Sequence, residues 1–280
     1  MKIQKVINNN VVSSVDENGT EVVVMGRGIG FHAKEGMEIL PERVEKVFRL
    51  ESEDALDQFK TLLKNLPLEH IEISTDIIRY AKELLKKPLN QNIYITLTDH
   101  INFAIERFHK NMMFSTPLLR EIQSFYKEEY QIGEYGIHLI QERLGIHLPE
   151  DEAASMALHV LSAEYNTMIG ETLDITELIQ QVLDIVSEYF HITLEENSLA
   201  YERFITHLRF LARRIYNKEF AKEGMQDLSP MIERLYPAEY ACSQKIQHFI
   251  QKRYAHKVTE EEVAYLAVHI RRIVPEKDIT

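Results

Sequence analysis

Cysteine occurs once in the 280 residues, at Cys242. No disulfide can form within the chain, and a reducing, cytosolic setting is expected. Long apolar runs are missing too. None approaches the length needed to span a bilayer, so no membrane insertion is expected. The opening stretch from Met1 to Asn8 lacks the apolar core of a signal peptide. Positive charge is in short supply, with 32 Lys and Arg against 44 Asp and Glu and a formal net charge of −12. That balance argues against broad, non-specific nucleic-acid binding, but it leaves room for a small, shape-specific RNA site on one domain. Low-complexity sequence is absent, and a hydrophobic fraction of 45% supports packed cores rather than disorder.

What is present is a repeat that carries histidines. Tyr126-Lys-Glu-Glu-Tyr130 returns as Tyr236-Pro-Ala-Glu-Tyr240, Ile140-Gln-Glu-Arg143 as Ile250-Gln-Lys-Arg253, and the stretch from Glu150 to His159 as that from Glu260 to His269, all displaced by 110 positions. A fourth match, displaced by 107, links His100 to His207, and an arginine follows each by seven, at Arg107 and Arg214. Each half therefore holds one early and one late histidine in matching contexts. Roughly the first 60 residues fall outside the repeat and must do something else.

That first region reads as β. Lys2–Ile7, Val11–Val15, Glu21–Met25 and Val44–Leu50 are strand-like, Asp16–Gly19 is a turn, and Gly26–Gly30 is a glycine-rich loop. So small a sheet is expected to dimerise, or to pack on something, to bury its apolar face. From about Asp54 the period becomes helical. Leu56, Phe59, Leu62, Leu63 and Leu66 give Ala55–Leu66 the spacing of a linker helix. A first helical module is predicted with helices over Ser74–Lys86, Tyr94–His109, Thr116–Tyr130, Tyr135–Gly145 and Pro149–Asn166. A second follows with helices over Thr176–Tyr189, Ser198–Asn217, Ser229–Leu235, Pro237–Tyr254 and Thr259–Ile273. Thr259-x-x-Glu262 reads as a capping box. The fold class is α+β, predominantly α. It comprises a small antiparallel β domain over 1–55, a linker helix over 56–66, and two duplicated all-α bundles over 67–170 and 171–280.

On a helical wheel Tyr201, Phe204, Ile205, Leu208, Leu211, Ala212 and Ile215 form one apolar stripe, and His207 sits roughly 100° from its centre. His100 stands similarly beside Leu97, Ile101, Ala104 and Phe108. These are boundary positions, suited to solvent or a partner rather than the core. Three readings compete: four histidines that hydrogen-bond structurally, a metal site, or phosphorylation on an imidazole nitrogen. Metal fits poorly. There is no His-x3-His, no acidic cluster equal in both halves, and no His-Asp pair of a helical phosphohydrolase. A phosphate would add roughly −1.5 to −2 charges at a module boundary, which is what a switch needs. In the N-terminal region Gly26-Arg-Gly-Ile-Gly30 does not match the G-x-G-x-x-G of a dinucleotide site and opens no helix. It is a tight turn without function, or a place where backbone, the Arg27 fork and the Phe31 ring meet a polyanion. Asn8-Asn9-Asn10 adds amides able to pair with base edges, or is merely a loop.

Three stretches of the first region, Lys2 to Val11, Val24 to Phe31 and Glu45 to Phe48, resemble the RNA-binding domain of the BglG/SacY transcriptional antiterminators, specifically their β-glucoside branch. Leu97 to Arg107 and Leu148 to His159 are similar to the first of that family's two phosphotransferase-system regulation domains. Arg203 to Phe210 and Thr259 to His269 are similar to the second. The likeness spans essentially the whole chain in the family's domain order. It implies a homodimer that binds a leader-mRNA hairpin overlapping a terminator, so that polymerase reads through. It also implies that the sugar-specific transporter phosphorylates His100 and His159 to inactivate, and that the phosphocarrier HPr phosphorylates His207 and His269 to activate. The matching RNA contacts are Lys5, Asn8, Asn10, Gly26, Arg27 and Phe31. No catalytic residue, metal or cofactor is expected. The alternatives are a metal-dependent helical hydrolase with a β appendage, and a DNA-binding regulator with the same regulatory domains. The latter would need a helix-turn-helix, which residues 1–50 do not show.

Overall fold

Val22-Val23-Val24 is a continuous apolar run, not an alternating one, and the computed structural model shows why. The model describes residues 1–49, 52–64, 66–112, 114–116, 118–217 and 228–275. Leu50, Asn65 and Pro117, which the sequence reading places in elements, lie outside them, as do 218–227 and 276–280 of the second module. Strands β1 (Ile3–Asn8), β2 (Val11–Val15), β3 (Glu21–Met25) and β4 (Lys46–Phe48) form an antiparallel meander in that order. Successive side chains point to opposite faces, and here both faces are covered. Val11, Val23, Met25 and Phe48 lie against helix α1 (Glu53–Leu63) through Leu56, Phe59 and Leu63. Ile3, Val12, Val22 and Val24 lie under Ile29 and Ile39 of the long β3–β4 connection. Asp16 shapes the β2–β3 turn by accepting from the backbone N–H groups of Asn18 and Thr20.

Ser52 caps α1 by accepting from Ala55 N at 3.1 Å. Lys60 joins the helix to β3 through Glu21 at 2.6 Å. Beyond α1 come α2 (Leu68–Leu85), α3 (Ile93–His109), α4 (Leu119–Phe125), α5 (Lys127–Leu144) and α6 (Glu150–Tyr165). Tyr94 and Ile95 at the start of α3 join the α1–sheet cluster, and the Phe48 and Tyr94 rings meet edge-on at 5.3 Å. The sheet thus buries its apolar face within its own chain, on α1 and α3.

The chain folds into two compact units, Met1–Leu119 with Lys127–Thr167, and Arg120–Tyr126 with Met168–Thr280. The second contains α7 (Ile169–Phe190), α8 (Leu199–Tyr216), α9 (Leu228–Leu235), α10 (Pro237–Tyr254) and α11 (Glu260–Ile273). All seven residues of the apolar stripe read for α8 are buried. The repeat is visible in the element bounds. α5 and α10 begin and end 110 residues apart, and α6 and α11 begin 110 apart.

Two expectations need correction. The sequence reading ends one helix at Tyr130 and starts another at Tyr135, whereas α5 runs unbroken from Lys127 and the break falls at Tyr126. Tyr126 is fully buried, and its hydroxyl pairs with that of Thr176 at 3.2 Å. Gly133 and Gly136 do not interrupt α5. They let it approach α6 so closely that a Cβ at either would strike Ala153 or Met156. In α3, Phe108 leaves the apolar stripe and is 41% exposed; Ile105 is buried instead.

Candidate nucleic-acid interface and histidine pairs

Two loops of the β domain are zipped together. Gly26 N donates to Asn10 O at 3.0 Å, Gly30 N to Asn9 O at 3.0 Å, and Gly28 N to the Asn10 side-chain oxygen at 2.9 Å. Asn10 N in turn donates to Asn8 Oδ1 at 2.7 Å. Four of the six residues proposed to contact RNA, Asn10, Gly26, Arg27 and Phe31, lie on this pair of loops, and Lys5 and Asn8 lie on the adjoining β1. Lys5, Arg27 and Phe31 are exposed, Phe31 at 59%. Its ring stands against His32, with centroids 4.1 Å apart. An exposed fork, an ammonium and an aromatic face make a surface suited to phosphate and base together. Gly26 is buried, and a Cβ there would overlap the Arg43 carbonyl oxygen. Gly30 is hemmed in by the Asn8 carbonyl in the same way. These two glycines therefore serve contact within the protein. Asn8 donates from Nδ2 to the carbonyl of Leu63 at 2.7 Å, which ties the first loop to the end of α1.

The four histidines form two pairs. His100 on α3 and His159 on α6 have ring centroids 4.7 Å apart, and His207 on α8 and His269 on α11 have theirs 4.8 Å apart. The sequence treats all four as boundary residues. His100, His207 and His269 are half-buried, but His159 is buried, at 8% exposure. It sits on a helix of small residues, Ala153, Ala154, Ser155 and Ala157, that packs tightly on its neighbours.

Burial sets the protonation of these rings. It holds His159 well below the usual imidazole range, with His100 adding to the effect. It pushes His207 down to about 4, helped by His269 and Arg214, and it lowers His269, helped by Arg272. These three imidazoles are neutral at pH 7, and a neutral imidazole keeps a nitrogen lone pair free to act as nucleophile.

Each pair stands beside an ion pair between a partly exposed arginine and a buried glutamate. Arg107 Nη2 donates to Glu152 Oε1 at 2.7 Å, and Arg214 Nη2 to Glu262 Oε1 at 2.5 Å. These residues are related by the same displacements of 107 and 110 as the histidines. The second carboxylate oxygens differ. Glu152 Oε2 lies 3.2 Å from His100 Nε2, an ion-pair distance without hydrogen-bond alignment. Glu262 Oε2 accepts from Thr259 N at 2.8 Å and completes the capping box. Position 149, equivalent to Thr259, is a proline with no side-chain cap. Burial alone would raise the pKa of Glu152; His100 and Arg107 together bring it below the usual value. The Arg107 guanidinium lies between the rings of Phe103 and Phe114, at 4.6 and 4.7 Å. A cavity of about 310 Å3 opens beside Arg107 and Glu152. The sequence signals both arginines and both glutamates but not that they meet.

Among the described residues no group of three or more His, Cys, Asp or Glu is gathered as a metal site, and no helix is long and apolar enough to cross a membrane. The model of the CAT RNA binding domain matches residues 1–57, and that of the PRD domain matches 75–163 and 180–273. Transcription antiterminator LicT of Bacillus subtilis is 45% identical over 274 residues, covering 98% of this chain and 99% of LicT. The Beta-glucoside operon antiterminator of Dickeya chrysanthemi is 37% identical, covering 98% and 96%. The crystal structure of GlcT CAT-PRDI superposes with a TM-score of 0.52 at 40% identity, covering 58% of this chain and 97% of that one. Its relatives are transcription regulators rather than enzymes. With both domain types matched and relatives aligned along nearly its whole length, the chain belongs to the BglG/SacY family of transcriptional antiterminators.

Proposed function

We propose that this protein is a sugar-responsive antiterminator, of a β-glucoside operon, that works as a homodimer in the cytoplasm. Residues 1–55 hold a leader-mRNA hairpin through Lys5, Asn8, Asn10, Arg27 and Phe31, with the buried Gly26 setting the path of the loop that carries Arg27, and so prevent the overlapping terminator from forming. Residues 56–66 link this domain to two regulatory domains, 67–170 and 171–280. The sugar-specific transporter phosphorylates His100 and His159 and inactivates the protein; HPr phosphorylates His207 and His269 and activates it. In each transfer the lone pair of a neutral imidazole attacks the phosphorus of the donor's phosphoryl group. A new N–P bond forms as the donor's own bond to phosphorus breaks, and the donor side chain leaves with that electron pair.

The observation that carries this reading is the repeated geometry: two histidine pairs, each 4.7–4.8 Å between rings and each beside an arginine held by a buried glutamate. A structural role alone gives no reason for two copies of a paired, largely neutral site. The test is a gel shift against leader hairpins of β-glucoside operons, with and without the phosphotransfer proteins. Binding is expected to fall with transporter phosphorylation and rise with HPr phosphorylation. Arg27→Ala, which removes a charge-assisted contact of about 1.5–3 kcal/mol, is expected to weaken binding by roughly ten- to a hundred-fold. Binding that is insensitive to Arg27 and to both phosphorylations sinks the reading.

A further inference from the structure

Arginine carries five N–H donors in a planar fork and binds tetrahedral oxyanions through two of them at once. In both modules that capacity is only partly used. Arg107 and Arg214 each donate from Nη2 to one carboxylate oxygen, and in both the Nε is shielded from solvent and has no partner. An unpartnered buried donor is costly, and here it recurs at equivalent atoms of two copies. The neighbouring carboxylate is well placed to stand in for something else. Glu152 Oε2, itself without a hydrogen bond, lies 3.2 Å from His100 Nε2, where the oxygens of a phosphoryl group on that ring would come. The Phe103 and Phe114 rings lie 4.6 and 4.7 Å from the guanidinium, and the adjacent cavity leaves room for side chains to change partners.

We propose that Arg107 and Arg214 are built-in receptors for the phosphoryl group on the histidine pairs, and that Glu152 and Glu262 occupy them in the unphosphorylated protein. The inference rests on the phosphorylation reading above and adds the residues that read the phosphate. When the phosphoryl group arrives, the arginine leaves the glutamate for the stronger, doubly charged oxyanion. The two modules then part company. Glu152 loses its arginine and gains a dianion beside it, with no other hydrogen bond to hold it. Glu262 keeps the Thr259 cap. The same modification therefore loosens the first module and leaves the second intact.

The test uses the full chain. His100→Asp, Arg107→Gln and Glu152→Gln are made singly and in pairs, with His207→Asp and Arg214→Gln in parallel, and thermal midpoints are measured. His100→Asp is expected to lower the midpoint by several degrees more in the Arg107→Gln background than alone, and to be tolerated in the Glu152→Gln background. Additive shifts overturn the proposal, because a charge at position 100 that is received by Arg107 must couple to it. Arg107→Lys, which keeps the charge and loses the fork, serves where glutamine leaves too little folded protein. In a second arm the protein is treated with phosphoramidate, a small phosphoryl donor, and phosphohistidine is followed by 31P NMR. Its lifetime is expected to shorten several-fold in Arg107→Gln; an unchanged lifetime and chemical shift also overturn the proposal. If no phosphohistidine forms on the wild-type chain, the phosphorylation reading fails, and the aspartate arm still decides whether the arginines receive charge.

Discussion

Two glycines two residues apart in the Gly26–Gly30 loop are expected to respond very differently to alanine. Gly28 has φ +66°, and a Cβ there would meet nothing within 4 Å. Gly28→Ala therefore costs only the left-handed backbone penalty, about 1–2 kcal/mol. Gly30 has no such φ, but its Cβ would overlap the Asn8 carbonyl oxygen and crowd Val6 Cγ1 at 3.2 Å. The obstacle is backbone, so the loop must lift. Lifting breaks the bonds from Gly26 N, Gly28 N and Gly30 N to the Asn9–Asn10 turn, and at about 1 kcal/mol each these sum to roughly 3 kcal/mol. Arg27 and Phe31 ride on the same loop, so hairpin affinity falls with it. Amide exchange at Val22–Val24, urea unfolding and hairpin gel shifts on the full chain report the local, global and functional effects. The reasoning is refuted if Gly30→Ala is no more destabilising than Gly28→Ala, or if its hairpin affinity equals that of wild type.

The histidines give a pH dependence with a definite sign. The folded pKa of His207, about 4, is depressed below the unfolded value of about 6.5. The stability it contributes is present above pH 6.5 and is lost as the pH falls toward 4, by roughly 3 kcal/mol. Urea midpoints at pH 7.5 and 4.5 should therefore diverge more for wild type than for His207→Gln; equal divergence refutes the assignment. Asn8 makes a different test, because its amide already donates to Leu63 O. Asn8→Ala is expected to lower stability by about 1 kcal/mol as well as to weaken hairpin binding. A loss of affinity with unchanged stability would show that the tie to α1 contributes nothing.

Periodicity made the elements legible and left their meetings illegible. Short, Val-rich, strand-like runs and the spacing of Leu56, Phe59 and Leu63 are enough to find β1–β3 and α1, because those patterns are local. Burial of both sheet faces was not readable, since the cover comes from Ile29, Ile39 and the distant Tyr94. The gap read between Tyr130 and Tyr135 has the same origin. Glycine has poor helix propensity, and only the packing against Ala153 and Met156 makes it the suitable residue at 133 and 136. The candidate site shows the limit most clearly. The sequence yields the four histidines, the arginine seven residues after each early one, and the repeated acidic start of the last helix. Glu262 reads there as half of a capping box, which it is. That its other oxygen holds Arg214 requires α8 and α11 to be side by side.

A duplicated module does not have to respond to the same chemistry in the same way, and the differences that matter between these copies lie beside the histidines. Where Thr259 caps α11 and holds Glu262, Pro149 leaves Glu152 to face His100. Where Leu97 and Ser155 stand in the first copy, Phe204 and Tyr265 stack on the histidines of the second, at 6.1 and 6.3 Å. The second pair is thus walled by aromatic rings, nearly parallel at 20°, while the first is more tilted at 40° and has a carboxylate against one ring. A buried carboxylate 3.2 Å from the acceptor ring raises the cost of a new negative charge there. Different responses therefore need no difference in fold. On the proposed reading they follow from whether the glutamate beside each arginine has another hydrogen bond to keep when its arginine is taken.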